Sequence, residues 1–380
     1  MSEDIKQQAI QYHLANGGKI HTALNTPLET KLDLSLAYTP GVAAVSTLLQ
    51  NNPSLTNTYT WRGRTVAVIS DGSSVLGLGN IGPEGAYPVM EGKCALFTRF
   101  AGLNAVPILL DTQDPEEIVR VIEAIAPSFG AINLEDIAAP NCFYIEEVLK
   151  KSLDIPVVHD DQWGTAIVVL AGVINACKVV GKDLLKTNVV VNGVGAAGAS
   201  IVKILHKYGI QNIIACDSKG ILYKGRSVND QYKELLAKIT NESNMKGALQ
   251  DAVAGADILI GVSKAGMFTT EMVRVMNKNA IVFALANPTP EILPDEARDA
   301  GAVIVATGRS DYPNQINNAL AFPGLFKGAL DGGVTTITME ILIKAAEALA
   351  RLIPSPTTNE IIPSIFDASV VQTVAASVQN

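Results

Sequence analysis

Cationic charge, cysteine pairs and long apolar runs are all scarce in this sequence, and each scarcity removes a class of protein. Lys and Arg number 29 against 37 Asp and Glu, for a net charge of −8, and no basic run stands out. Nucleic acid and acidic membrane surfaces are therefore poor partners. The four cysteines, Cys94, Cys142, Cys177 and Cys216, lie far apart in apolar contexts with no C-x-x-C pair. Buried free thiols in a reducing cytosol are the natural reading, so a cytoplasmic protein is expected. No uninterrupted apolar stretch reads as long enough to span a bilayer, and Met1 to Lys6 does not read as a signal peptide. What remains is a well-cored chain: 380 residues, 48% of them apolar, enough for two domains.

The most informative stretch runs from Asn188 to Gly220. An apolar β-branched run, Asn188 to Asn192, meets the turn Gly193-Val194-Gly195-Ala196-Ala197-Gly198. A helical pattern follows to Tyr208, then a second apolar run ending on Asp217. Strand, G-x-G-x-x-G, helix, strand and acid stand in the order of a dinucleotide-binding βαβ unit. Gly193 permits the tight turn, Gly195 lets backbone approach a pyrophosphate, and Gly198 lets the helix pack on the sheet. The helix N-terminus presents free N–H groups to the phosphates. A carboxylate at Asp217 suits the ribose hydroxyls of NAD and repels the 2′-phosphate of NADP. Lys219 and Arg226 are near enough in sequence to soften that preference. The competing reading is an α/β turn whose glycines serve packing alone.

Upstream, the chain alternates strands and helices. Residues 3–15 read as a helix, and a loop then runs to Asp33. Tyr38 stands at a bend before Pro40, where a core tyrosine with one bonded hydroxyl is the ordinary expectation. Thr65 to Ser70 reads as a strand, followed by a glycine-rich stretch from Ser73 to Gly82 that suggests close backbone approach. Pro88 to Ala101 reads as a helix that leaves Lys93 off its most apolar stripe, as a solvated lysine would be. Asp114 and Pro115 open the next helix as N-cap and first residue.

Two successive strands then end on paired acids. Gly130 to Leu134 is followed by Glu135-Asp136, and Ile155 to His159 by Asp160-Asp161. In a parallel sheet these positions share the carboxyl edge, where ligands bind. Four acids there repel one another unless a cation holds them, and all-oxygen donors select Mg²⁺ or Mn²⁺. Helix capping is the alternative, but it explains one acid per junction and not two at both. A long apolar helix from Gln162 to Val180 bridges to the dinucleotide unit. Further strands are expected at 256–261, 280–285 and 302–306, with closing helices at 335–351 and 365–378. Asn287 follows the second of these strands. Asn314 to Asn318 is an amide cluster able to hold a carboxylate or a nicotinamide, or simply to form turns.

Taken together, these stretches resemble the malic enzymes over nearly the whole length. The matching segments are Tyr38 to Val42, Leu76 to Asn80, Glu91-Gly92-Lys93, Leu134-Glu135-Asp136, His159 to Gln162, Gly193 to Gly198, Ala286-Asn287-Pro288 and Asn317-Asn318. The length is similar to that of the short bacterial members. The resemblance implies an α/β fold: an N-terminal domain with a parallel sheet at 1–162, a Rossmann-like dinucleotide-binding domain at 163–345, and C-terminal helices at 346–380. Those helices would pack back on the first domain or on a dimer interface. It further implies that Glu135, Asp136 and Asp161 ligate the metal, that Lys93 is the general base and Tyr38 the general acid, and that Asp160 orients the site. Asn287 and Asn318 would contact substrate or nicotinamide, with Asn317 beside them. Where longer members carry a substrate-clamping arginine, Ser74 stands here. Trp163 takes a position that is often His or Gln in short relatives.

The implied reaction is the oxidative decarboxylation of L-malate to pyruvate and CO₂ with NAD and a divalent metal, in a homodimer. Lys93, made neutral by burial and a nearby cation, would take the C2 hydroxyl proton. Tyr38 would protonate C3. In a dimer, Tyr38 or Lys93 would serve the partner's cleft. The alternatives are a metal-dependent oxaloacetate decarboxylase of the same family and, from another class, a non-catalytic dinucleotide-binding protein. An amino-acid dehydrogenase shares the domain order but gives no reason for two pairs of acids.

Overall fold

Continuous β-branched runs dictate the centre of the molecule. A strand buried on both faces carries no polar alternation, and such strands belong in parallel sheets covered by helices. The computed structural model describes residues 3–75 and 77–379. Met1 and Ser2 of the N-terminal reading, and Leu76 of the glycine-rich stretch, lie outside the described residues.

Two sheets form. The first has β1 (Thr65–Ser70), β2 (Asn104–Leu109), β3 (Ala131–Leu134) and β4 (Val157–His159), all parallel, in the order β2-β1-β3-β4. Val66, Ala67, Val68 and Ile69 of β1 are wholly buried. Each of the valines and the isoleucine stabilises by about 1.5–3 kcal/mol relative to exposure. The second sheet has β5 (Val189–Asn192), β6 (Ile213–Asp217), β7 (Gly220–Ile221), β8 (Ile258–Gly261), β9 (Ala280–Ala284) and β10 (Ala302–Thr307). Its order is β10-β9-β8-β5-β6-β7, parallel except for the β7 hairpin.

Helix Asp160–Val180 starts at the end of β4 and joins the two sheets. Gly164 and Gly172 let it pack closely, since a Cβ at Gly172 would press on Phe283 and Ile316. Its Asn175 is fully buried and donates to the carbonyls of Ala350 and Ile361, tying it to the C-terminal segment. Helix Phe322–Gly332 returns to the first sheet's layer. There Phe322 and Phe326 meet Phe97 edge-on, at centroid distances of 4.8 and 5.2 Å. Helix Ser369–Gln379 packs on that returning helix and on Met339–Arg351.

Three expectations change. The stretch before Tyr38 is a capped helix, Lys31–Ala37, and not a loop: Thr30 accepts from the Asp33 N–H, and Asp33 answers as the second half of a capping box. The helix that carries Lys93 begins at Gly82, with Pro88 inside it, and runs to Leu96 before a π turn at Phe97–Ala101. Finally, two helical stretches, Lys31–Asn51 and Asp160–Val180, are long and apolar enough to cross a membrane. The first is broken at Tyr38–Gly41, and the second is mostly buried between the sheets.

Candidate active site

The register of the first sheet assembles the acids. Leu134 pairs with His159, so the residues that follow, Glu135-Asp136 and Asp160-Asp161, emerge side by side. One ligand atom from each of Glu135, Asp136 and Asp161 lies within 4.8 Å of the others. The Asp136 N–H donates to Asp161 Oδ2 at 2.8 Å, and Asn133 Nδ2 donates to Glu135 Oε2 at 2.8 Å. Asp136 has φ of +53°, a left-handed conformation that non-glycine residues adopt at a cost of about 1–3 kcal/mol and that recurs at functional sites. Capping does not account for the acids. The helix at 160 is capped by His159 with no side-chain bond, and the helix at 141 is capped by Pro140.

Burial pushes the Glu135 carboxyl well above the usual carboxylate range. Lys93 opposes this, and Asp161, Asp160 and Asp136 add to it. Three convergent carboxylates with a buried member that resists ionisation form a donor set suited to a hard divalent cation. Glu135, Asp136 and Asp161 would hold it.

Lys93 lies beside this triad and is 8% exposed, so it is not a solvated lysine. Its Nζ is 2.7 Å from Asp160 Oδ2 and 2.9 Å from Glu135 Oε1. Burial alone does not leave it neutral; the expectation joins burial to a nearby cation that offsets the surrounding acids. Burial does lower its pKa, but Asp160, Glu135 and Asp161 together outweigh burial and hold the proton on. Asp160 is fully buried, and burial pushes its carboxyl up against the pull of Lys93. Phe322, which sequence reasoning passed over, covers the ammonium at 4.5 Å from its ring centroid. Its only sequence signal was an apolar residue four places after Asn318.

The other expected residues divide. Ser74 is brought to the acids: its N–H donates to the Asp136 carbonyl at 2.9 Å, while Ser73 Oγ accepts from the Ala138 N–H. Asn318 lies beside Asp160, since a Cβ at Gly164 would meet both. Asn317 instead caps the short turn Asn318–Leu320, with its side chain accepting from the Ala319 N–H at 2.9 Å. That bond engages Asn317 Oδ1 in the turn and leaves its Nδ2 as the group for the expected substrate contact. Asn287 sits between Gly308 and Gly77, where a methyl on either glycine would strike it. Tyr38 is 66% exposed at the bend between helices Lys31–Ala37 and Val42–Asn51, neither of which buries a residue. It is not a core tyrosine.

The dinucleotide motif folds as its glycines require. Gly193 has φ of +101°, and a Cβ at Gly198 would overlap the Gly193 carbonyl. Ala196 opens the helix Ala196–Tyr208, with Ala197 and Gly198 in its first turn. A cleft of about 380 Å³ lies over this turn, lined by Gly193, Gly195, Asp217, Tyr232 and Lys233, with Phe143 from the first sheet's helices. Asp217 ends β6 as expected, but its carboxylate is occupied. Arg226 donates to it from Nη1 at 3.0 Å and Nη2 at 2.6 Å, Lys233 Nζ is at 3.1 Å, and the Lys219 N–H donates at 2.8 Å. Burial pushes its pKa up, yet these donors outweigh burial and hold it low. The Asp217 carboxylate is therefore paired with Arg226 and Lys233, of which Lys233 lines the cleft beside it.

A Rossmann-type sheet facing a carboxylate–lysine cluster defines a nicotinamide-dinucleotide oxidoreductase of two α/β units. Residues 17–150 match the family description "Malic enzyme, N-terminal domain", and residues 163–380 match "Malic enzyme, NAD binding domain". The chain belongs to the malic enzyme family. It is 51% identical over 378 residues to a bifunctional malic/malolactic enzyme of Bacillus subtilis, covering 98% of this chain and 92% of that protein. It is 51% identical over 364 residues to an NAD-dependent malic enzyme of Geobacillus stearothermophilus, covering 95% and 76%. The solved structure of an NAD-dependent malic enzyme from Thermotoga maritima superimposes with a TM-score of 0.95 at 49% identity, covering 98% and 99%.

Proposed function

We propose that the protein catalyses the oxidative decarboxylation of L-malate to pyruvate and CO₂, with NAD as hydride acceptor and Mg²⁺ or Mn²⁺ held by Glu135, Asp136 and Asp161. The observation that carries this reading is Lys93, buried between Asp160 and Glu135 at the edge of the three-carboxylate cluster. When bound, the cation supplies Lewis-acid polarisation of the substrate's C2 oxygen, and the dinucleotide supplies the hydride acceptor. The chain's own groups do the rest. Lys93 Nζ gives its proton to Asp160 Oδ2, 2.7 Å away, and then takes the C2 hydroxyl proton as the general base. Phe322 keeps water from the ammonium. Ser74 and Asn318 orient the substrate beside the acids, and Asn287 orients the nicotinamide. The glycine turn Gly193 to Gly198 takes the pyrophosphate, and Asp217 the adenosine ribose.

Tyr38 is the proton donor to C3, and we propose that it acts in the cleft of a second copy in a homodimer. Its exposure, together with exposed Leu32, Leu34, Leu36 and Val42 around it, supports a partner on this face. All four cysteines are free and buried, which fits the reducing cytoplasm.

The test is the reduced-nicotinamide absorbance band with L-malate and Mn²⁺, NAD and NADP being supplied in parallel. A metal-dependent rise with NAD and the appearance of pyruvate are expected. A rise with NADP alone would sink the cofactor assignment. Release of CO₂ from oxaloacetate with no malate oxidation would make the protein the decarboxylase instead. Lactate formed without net dinucleotide reduction would match the malolactic activity named for the Bacillus relative.

A further inference from the structure

The second sheet hides one carboxylate that the reaction does not use. Glu291 is fully buried, in the segment after β9. Its Oε1 accepts from the Ser263 N–H at 2.8 Å and lies 3.4 Å from Ser263 Oγ; its Oε2 accepts from the Ala286 N–H at 3.0 Å. Ser263 Oγ in turn accepts from Asn192 Nδ2 at 2.9 Å. Asn192 ends β5, Ser263 follows β8, and Ala286 follows β9. One side chain therefore ties together the carboxyl ends of three adjacent strands. Room for it is made by Gly261, where a Cβ would lie 2.5 Å from the Glu291 Cδ.

Each tied end touches the dinucleotide machinery. Asn192 precedes Gly193. The Val262 carbonyl lies 2.7 Å from where a Gly193 Cβ would be, and its side chain backs Gly198. Ala286 precedes Asn287. A shift of the Ser263 turn is thus carried into the glycine turn, and a shift of Ala286 into the nicotinamide contact. Burial raises the Glu291 carboxyl while its N–H donors oppose that, the mark of an acid kept inside for the bonds it accepts.

We propose that Glu291 is a positioning residue for the dinucleotide: it holds the pyrophosphate turn at Gly193 and the nicotinamide contact at Asn287 in one fixed relation by clamping the ends of β5, β8 and β9. This rests on the reading that the cleft takes NAD. Loss of the clamp leaves two buried N–H donors facing no acceptor, and both loops relax separately.

The test is direct binding of NADH, by its fluorescence, to the full-length protein, with Mn²⁺ binding measured by calorimetry on the same samples. Glu291→Gln keeps the volume but turns an amide toward the Ser263 or Ala286 N–H. It should weaken NADH by about tenfold or more while Mn²⁺ affinity stays within about twofold. Ser263→Ala removes the link to Asn192 and the longer Oγ contact with Glu291 while keeping both N–H bonds to the carboxylate, and should weaken NADH by a few fold, which keeps the test open if Glu291→Gln does not fold. NADH affinity unchanged in either folded variant overturns the proposal. So does a parallel loss of NADH and Mn²⁺ binding, which marks a general structural role. Wild-type protein that binds Mn²⁺ but no NADH removes the underlying NAD reading, a failure distinct from that of the clamp.

Discussion

Lys93 Nζ stands 2.7 Å from Asp160 Oδ2, with both side chains buried and Glu135 Oε1 at 2.9 Å on the lysine's other side. The contact joins a group with a movable proton to the edge of a cation site, and the chemistry assigned to the cleft depends on it. Lys93→Ala should lower kcat about a hundredfold to ten-thousandfold, the usual span for a lost acid–base group, with little change in NADH affinity. Steady-state kinetics with malate, paired with NADH fluorescence, read both quantities. A kcat within a few fold of wild type would remove Lys93 from the reaction.

Asp136 offers a way to separate ligand from fold. Its φ of +53° is easy for glycine and costly for other residues. Asp136→Gly should keep the backbone and give a melting temperature no lower than that of the metal-free wild type. It should nevertheless lose at least about tenfold in Mn²⁺ affinity, as expected on removing one of three carboxylate ligands. Asp136→Ala should lose both affinity and stability. Calorimetric titration and thermal melts in chelator decide it. Full Mn²⁺ affinity in the glycine variant would take Asp136 out of the ligand set.

Asp217 makes the stability of the second sheet depend on acid pH. Its donors outweigh burial and hold its folded pKa below the ordinary value of 3.8, so the folded state binds fewer protons than the unfolded one in that range. The contribution is complete above about pH 5 and is lost as pH falls through the folded value. Asp217→Asn should flatten the acid limb of the melting-temperature curve and leave its neutral region nearly parallel to wild type. An unchanged acid limb contradicts the ion-pair account of Arg226 and Lys233.

Tyr38 and Lys93 belong to different subunits' lesions if the cleft is shared. Tyr38→Phe and Lys93→Ala homodimers should each be nearly inactive. Unfolding and refolding them together in equal amounts should restore up to about a quarter of wild-type activity, because half the dimers are mixed and each has one intact site. Activity that stays at the sum of the two variants would confine both residues to one chain.

The sequence announced the βαβ motif, the paired acids and most strands because each rests on local chemistry: glycines at a turn, β-branched runs, acids directly after a strand. What it concealed depends on distant neighbours. Helix periodicity put Lys93 off the apolar stripe, and only the register of β3 with β4 reveals that Asp160 and Glu135 bury it. Asp217 ended its strand as foreseen, but Lys233 reaches it from a helix sixteen residues on, beyond any motif. Asn317 and Asn318 looked alike in an amide cluster; the turn at Asn318–Leu320 makes one a cap and leaves the other beside Asp160. Phe322 had no polar signal at all, and its role comes from the return of a C-terminal helix to the first sheet.

The most direct test of the account is the stoichiometry of products from L-malate. With Mn²⁺ and NAD, pyruvate and NADH should appear in equal amounts, and a chelator added midway should stop both together. Pyruvate formed without NADH, or NADH formed unchanged after the metal is removed, would contradict an oxidative decarboxylation run by Lys93 beside the Glu135, Asp136 and Asp161 cluster.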